Sequence, residues 1–292
     1  MSSEMAPVRS SLRRPESVGK LCALRSLNAG VKMIRFTLLV AGALVVLPSA
    51  PARGDDDIKD VSSQDLKAGK DEKKRYFLIG PPKDAKAPKN GYGLVVILPG
   101  GPGSADFHPF VKRIYKNAVP EGYLAAQPVA VKWTDKQEIV WPTEGNKKDV
   151  EGAKFTTEEF VAAVIEDVAA RHKIDPQKVL TLSWSSSGPA AYSVALTNSK
   201  VTGSLVAMSV FKPDQLPDLK AAKGKPFYLY HSPDDRVCPY RMAEQAEKDL
   251  TKAGAKVKLV DYEGGHGWRG PLYDDIRAGI EWLEKNAAAP GK

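Results

Sequence analysis

One stretch limits what this chain can fold into more than any other: Val179 to Ala191, VLTLSWSSSGPAA. A short apolar run rich in β-branched residues crosses a cluster of small residues and resumes as an Ala-rich segment. That pattern predicts a strand, a tight turn and a helix, the setting in which G-x-S-x-G presents a serine hydroxyl at a sheet edge. Such a turn leaves no room for large side chains two residues either side of the exposed serine. Ser186 in that role puts Trp184 two before it, Ser187 puts Pro189 two after it, and Ser183 requires the turn to begin inside the strand. Ser185 is flanked by Ser183 and Ser187, with Gly188 next, and is therefore the candidate nucleophile. The competing reading is a Ser-rich turn without chemistry.

Around this stretch the chain alternates between strand and helix patterns. Tyr76 to Ile79 reads as a strand, and Tyr92 to Leu98 as one buried on both faces, because its apolar run is unbroken. Phe110 to Val119 reads as a helix and Leu124 to Val131 as a strand. Thr156 to Glu159 forms a capping box ahead of a stripe at Phe160, Val161, Val164, Ile165 and Val168. Beyond the central stretch, strands are expected at Leu205 to Phe211, Pro226 to Tyr230 and Val257 to Tyr262, and helices at Met242 to Ala253 and Leu272 to Lys285. Such alternation predicts an α/β fold, a doubly wound and mostly parallel sheet flanked by helices. Too few residues separate Phe211 from Phe227 for an inserted lid domain, so residues 76–288 read as one domain.

Two segments precede it. Phe36 to Leu47 is a long apolar run, short of the ~20 residues of a spanning helix. Lys32 and Arg35 precede it and Ala50-Pro51-Ala52 follows, so residues 1–52 read as a signal peptide cleaved near Ala52, with Met33 as an alternative start. An uncleaved anchor is the competing reading. Residues 53–75, charged and poor in apolar side chains, read as a flexible lead-in. The expectation is an exported protein, periplasmic or secreted, with no stable membrane association after cleavage.

Charge narrows the function classes. The first 52 residues carry seven Lys/Arg and two Asp/Glu, which leaves +3 of the total +8 on the remainder, scattered among mixed-sign segments. No nucleic-acid partner is expected from that. Cys22 leaves with the leader, so Cys238 has no partner for an internal disulfide, and Cys/His metal spacing is absent; no metal is expected.

A serine nucleophile needs a base, and the base an orienting acid. Of four histidines, His172 ends a polar helix, His108 follows the Gly-rich loop, and His231 ends a strand where it is expected to pack or hydrogen-bond beside the acid loop. His266 lies between a strand and a helix in EGGHGW, where glycines on both sides let the loop turn sharply. It is the expected base. The acid is expected from His231 to Pro239: Asp235 on its spacing from the strand, with Asp234 the alternative. Cys238 there reads as a small packed residue. Oxyanion donors are expected at the amide of Ser186 and in the loop Pro99 to Gly103, where prolines lack the hydrogen; Gly101 is best placed and Gly100 stands behind it. The same loop lacks the spacing and Lys of a phosphate-binding P-loop. Trp133, Trp141 and Trp184 are candidate substrate-pocket residues, with burial in the core as the alternative.

The order glycine loop, Ser185, Asp235, His266, each after its own strand, resembles the α/β-hydrolase superfamily from Tyr76 to the last helix. It is most similar to the small lid-less carboxylesterase/phospholipase-type esterases and their exported depolymerase-like relatives; Gly100 to Gly103 also resembles the loop of prolyl iminopeptidases. The resemblance implies a Ser-His-Asp triad, a covalent acyl-enzyme, a small-molecule or polymer-attached ester as substrate, and no cofactor. A serine peptidase of the same superfamily and a catalytically silent scaffold acting as an exported binding protein are the alternatives. Two departures stand out: both elbow glycines are serines, and Pro99 replaces the histidine that usually opens the oxyanion loop.

Overall fold

A computed structural model of the chain describes residues 55–81 and 85–287, all within one compact unit. The apolar run at 36–47 and its cleavage pattern lie outside the described residues. Among those described, no helix is long and apolar enough to cross a membrane.

Eight strands form one sheet: β1 (Ser63–Lys67), β2 (Arg75–Ile79), β3 (Tyr92–Leu98), β4 (Tyr123–Pro128), β5 (Ile174–Trp184), β6 (Gly203–Ala207), β7 (Pro226–His231) and β8 (Lys256–Asp261). Their order is β1-β2-β4-β3-β5-β6-β7-β8. β1, β2 and β4 pair antiparallel in turn, and every other pairing is parallel. Five helices cover the two faces: α1 (His108–Asn117), α2 (Thr157–Arg171), α3 (Gly188–Thr197), α4 (Arg241–Lys252) and α5 (Leu272–Asn286).

The unbroken apolar run of β3 is explained by its position. Leu94, Val96 and Leu98 pack into the core under α2, α3 and α4, while Val95 and Ile97 face the core under α1 and α5. Each such side chain contributes roughly 1.5–3 kcal/mol on burial, and β3 has no solvent face for a polar residue. The stripe on α2 is wholly buried, and Thr156 caps that helix through the expected box, its hydroxyl accepting from the Glu159 amide while the Glu159 carboxylate accepts from the Thr156 amide. Between β6 and β7 lie only two short 3-10 turns, Pro213–Gln215 and Leu219–Ala222, and no lid domain.

Over its described part, residues 55–75, the reading of residues 53–75 as a flexible lead-in is corrected. Ser63–Lys67 pairs along its length with β2, and Arg75 reinforces the pair with hydrogen bonds to the Asp65 carboxylate. Arg113 and Lys116 on α1 hold Asp57 and Asp60, docking residues 55–60. The misreading has a physical source: β1 is an edge strand exposed on most of its residues, and charge on an edge blocks further pairing. Only Ile58, Val61 and Ala68 are fully buried apolar residues there, with Leu66 partly so, too sparse to mark a period.

Candidate active site

The C-terminal edge of the sheet gathers the turns that follow β3, β5, β7 and β8. β5 ends at Trp184, and Ser185 starts a 3-10 turn, Ser185–Ser187, that leads into α3. Ser185 has φ +57, a left-handed conformation uncommon for a residue with a Cβ. Such local strain concentrates at functional sites. Its Oγ lies 3.0 Å from His266 Nε2.

The neighbouring serines are used otherwise. Ser183 donates its hydroxyl to Leu205 O at 3.3 Å. Ser187 donates to Leu98 O at 2.6 Å and accepts from the Trp184 amide at 3.1 Å. Ser186 donates to Gly101 O at 2.8 Å. Serine therefore fits both flanking positions, because each buried hydroxyl finds a backbone partner. The glycine that must stay a glycine is Gly188: a Cβ there would sit 1.9 Å from Ser209 Oγ.

His266 sits in a loop whose glycines take left-handed conformations, Gly264 at φ +107, Gly265 at +76 and Gly267 at +120. Its Nδ1 is 2.8 Å from Asp235 Oδ2. The Asp235 side chain is fully buried, and its other oxygen accepts from the amides of Val237 and Cys238, each at 2.8 Å. Burial pushes this carboxyl up, but the hydrogen bonds from His266 and the two amides outweigh it and hold it below the ordinary range. An ionised carboxylate only accepts, so Nδ1 carries the proton and donates. Nε2 of the neutral ring is then the acceptor, and the Ser185 hydroxyl donates to it. The arrangement can take a proton from Ser185 and stabilise the imidazolium that results.

Asp234 is exposed, and its amide donates to Ser232 Oγ. Of the two aspartates, Asp235 is the one joined to His266. His231 is buried beside it, Nε2 donating to Cys238 O at 2.8 Å with Asp235 Oδ2 at 3.3 Å, a packing role as expected. His108 lies apart: Nδ1 donates to Gln127 Oε1, Nε2 accepts from Ser63 Oγ, and the ring stacks on Phe77. His172 caps the C-terminus of α2, edge-on to Tyr92.

Cys238 is buried, and burial together with the nearby Asp235 charge pushes its thiol up to about 11. Asp235, Cys238 and His266 are the one group of three metal-ligand-type side chains gathered among the described residues. Because the carboxylate and imidazole already bond each other and the thiol stays protonated, the trio suits an Asp–His pair better than a metal.

The glycine loop, Pro99 to Gly103, also meets the elbow, its Gly101 carbonyl accepting from Ser186 Oγ. Gly101 has φ +55, and the Gly103 amide donates to Gly100 O at 3.0 Å. Trp141 Nε1 donates to Pro99 O at 3.0 Å, and Ala130 donates its amide to Gly103 O at 2.9 Å. A Cβ on Gly100 would meet Trp184 O at 2.5 Å, so the loop lies directly on the elbow.

No family model matches the chain, and no curated protein matches it. Solved structures do. A thermostable esterase superimposes with TM-score 0.59 at 17% identity, covering 79% of this chain and 64% of that one, so the chain spans less than two thirds of its length. An alpha/beta hydrolase enzyme from a Medee basin deep-sea metagenome library gives 0.53 at 13% identity, over 78% and 98% of the two chains. The propionate-bound esterase Est2 of the Planctomycetes species Thermogutta terrifontis gives 0.55 at 17%, over 80% and 98%.

The chain has the α/β-hydrolase fold.

Within this fold, two residues invisible to sequence reasoning support the elbow and the histidine. Ser209 donates to Ser185 O at 2.7 Å, placed by Met208, itself at φ +41. Ser232, fully buried, accepts from the amides of Asp234 and Gly265 and so joins the acid loop to the histidine loop. The Ser209–Ser185 and Ser232–Gly265 contacts each span more than 20 residues, so neither shows as a local pattern.

The tryptophans are corrected as pocket walls. Trp141 and Trp184 are 4% and 5% exposed. Trp141 braces the glycine loop, and Trp184 packs edge-on against Phe107, Phe110 and Trp268. Trp133 packs on Phe155, and the space it lines with Trp141 is about 10 Å³, about what one water requires. A cavity of about 430 Å³ opens at the N-terminal ends of β3 and β4, lined in part by Tyr92, Tyr115 and Tyr123, away from Ser185. Beside the glycine loop a smaller one, about 230 Å³, is lined by Pro102, Ala130, Val131, Lys132, Gln137 and Val140.

Proposed function

We propose that the protein is an exported serine hydrolase that cleaves carboxylic esters through an acyl-enzyme. The observation that carries this reading is the hydrogen-bonded chain from Ser185 Oγ through His266 to the buried Asp235, anchored on a left-handed serine. In the mechanism Ser185 Oγ attacks the ester carbonyl as its proton passes to His266 Nε2, and Asp235 stabilises the imidazolium. The tetrahedral oxyanion is held by the amides of Ser186 and Gly101. Ser186 lies in the first turn of a helical segment, where amides lack an intrahelical acceptor. His266 then protonates the leaving alcohol, the acyl-enzyme forms, and a water deprotonated by His266 releases the acid and restores Ser185. The cavity beside Pro102, lined by Ala130, Val131 and Val140 together with Lys132 and Gln137, has room for a short acyl or alcohol group; esterases of the same fold, one with propionate bound, support the ester class. The substrate is a small or polymer-attached ester.

The satisfied hydroxyls of Ser183 and Ser187 favour this reading over a silent scaffold. A fluorophosphonate probe followed by peptide mapping tests it, alongside turnover of p-nitrophenyl acetate and an aminoacyl p-nitroanilide. Adduct on Ser185, lost in Ser185→Ala, with ester turnover is expected. Adduct on Ser183, Ser186 or Ser187 overturns the nucleophile, anilide turnover without ester turnover points to a peptidase, and folded protein that takes no label overturns the enzyme.

A further inference from the structure

We propose that the Ser186 side chain is a positioning residue that locks the oxyanion loop. The inference rests on the ester-hydrolase reading, and it concerns the Ser186 hydroxyl, separate from the backbone amide given a role above.

Four successive carbonyls run from the end of β3 into the loop, and each has its own donor. Leu98 O accepts from Ser187 Oγ at 2.6 Å, Pro99 O from Trp141 Nε1 at 3.0 Å, Gly100 O from the Gly103 amide at 3.0 Å, and Gly101 O from Ser186 Oγ at 2.8 Å. Two of the four donors are the elbow serines that follow the nucleophile.

The geometry of the peptide unit gives this pattern its consequence. The amide of Gly101 shares a rigid plane with the carbonyl of Gly100, so capping Gly100 O fixes the direction of the Gly101 N–H. The plane on the other side of Gly101 joins its carbonyl to Pro102, which has no N–H to hold it. Gly101, at φ +55, has no side chain to fix that plane, and a Cβ there would meet nothing closer than Phe107 at 3.5 Å. The Ser186 hydroxyl donates a hydrogen bond to that carbonyl. Without it the Gly101–Pro102 peptide loses the hydrogen bond that sets its tilt within the turn closed by Gly100 O and the Gly103 amide, and a carbonyl oxygen tilted toward the developing charge repels the oxyanion. Ser186 itself is exposed, so its hydroxyl is held for this contact without core packing to account for it.

The test uses Ser186→Ala, which keeps the amide, and Ser186→Thr, which keeps a hydroxyl. Losing one neutral hydrogen bond predicts a fall in kcat of about 2- to 10-fold on p-nitrophenyl acetate. KM and Tm should change little, and Ser186→Thr should recover most of the loss. In parallel, ¹³C relaxation of the Gly101 carbonyl should report a rigid site in wild type and a mobile one in Ser186→Ala. Wild-type kcat in Ser186→Ala, or unchanged Gly101 relaxation, overturns the lock. Wild-type protein that neither turns over ester nor takes a fluorophosphonate overturns the ester-hydrolase reading, and the relaxation measurement then still decides whether Ser186 restrains the loop.

Discussion

Replacing Asp235 by asparagine should disable the chemistry through the tautomer of His266, and the loop around it predicts which way the new amide will face. Asp235 Oδ1 accepts from the amides of Val237 and Cys238, and Oδ2 faces His266 Nδ1. With its carbonyl turned to His266, an asparagine would set its NH₂ against two N–H donors, costing about 1–3 kcal/mol for the buried Cys238 amide left unsatisfied and adding the repulsion of the Val237 amide. With its carbonyl turned to the two amides, it meets only the longer 3.3 Å approach of His231 Nε2, which keeps its bond to Cys238 O. The second orientation wins. Its NH₂ then donates to His266 Nδ1, the ring proton moves to Nε2, and Nε2 can no longer accept from Ser185. The equivalent change in a serine protease triad cost about 10⁴-fold in kcat, and a loss of ~10²–10⁴-fold is expected here. Steady-state hydrolysis of p-nitrophenyl acetate, with Asp234→Asn as comparison, decides it; the exposed Asp234 should cost no more than a few-fold. Ester turnover within ten-fold of wild type in Asp235→Asn, or the large loss in Asp234→Asn, refutes the reasoning. The stability side has its own sign. Because the folded carboxyl titrates below 3.8, its contribution is present above that pH and lost as pH falls through the lower folded value. A Tm gap between wild type and Asp235→Asn should therefore narrow below pH 3.8.

Restoring a glycine at the elbow should weaken the protein rather than improve it: Ser187→Gly removes the bonds to Leu98 O and from the Trp184 amide, at about 1–3 kcal/mol. Thermal unfolding should show Tm lower by several degrees, and an unchanged or higher Tm contradicts the account of the serine substitution. Cys238, with its thiol pushed up to about 11, should resist iodoacetamide at pH 8 in the native protein and react fully in guanidinium; stoichiometric native alkylation would show the thiol to be reactive. Export predicts that N-terminal sequencing of secreted or periplasmic material begins near Arg53, whereas membrane-bound protein retaining residues 36–47 identifies an anchor.

What the sequence determined by itself was local or periodic. The strand–turn–helix at Val179 to Ala191 marked the elbow, steric exclusion among its serines selected Ser185, and the capping box at Thr156 placed the start of α2. The glycines around His266 and the position of Asp235 after a strand named the other partners, because φ restrictions and strand ends leave marks within a few residues. Tertiary structure decided the rest. It joined Asp235 rather than Asp234 to His266, since the direction of a loop side chain depends on the amides that hold it. It turned a charged lead-in into an edge strand, because partnering along one edge needs few apolar residues. It buried Trp141 and Trp184 beneath the glycine loop, where the sequence alone left wall and core equally open. Ser186, Ser209 and Ser232 gained their roles only from hydroxyls meeting backbone groups distant in sequence, and a hydrogen bond closed across the fold leaves no trace in the order of residues.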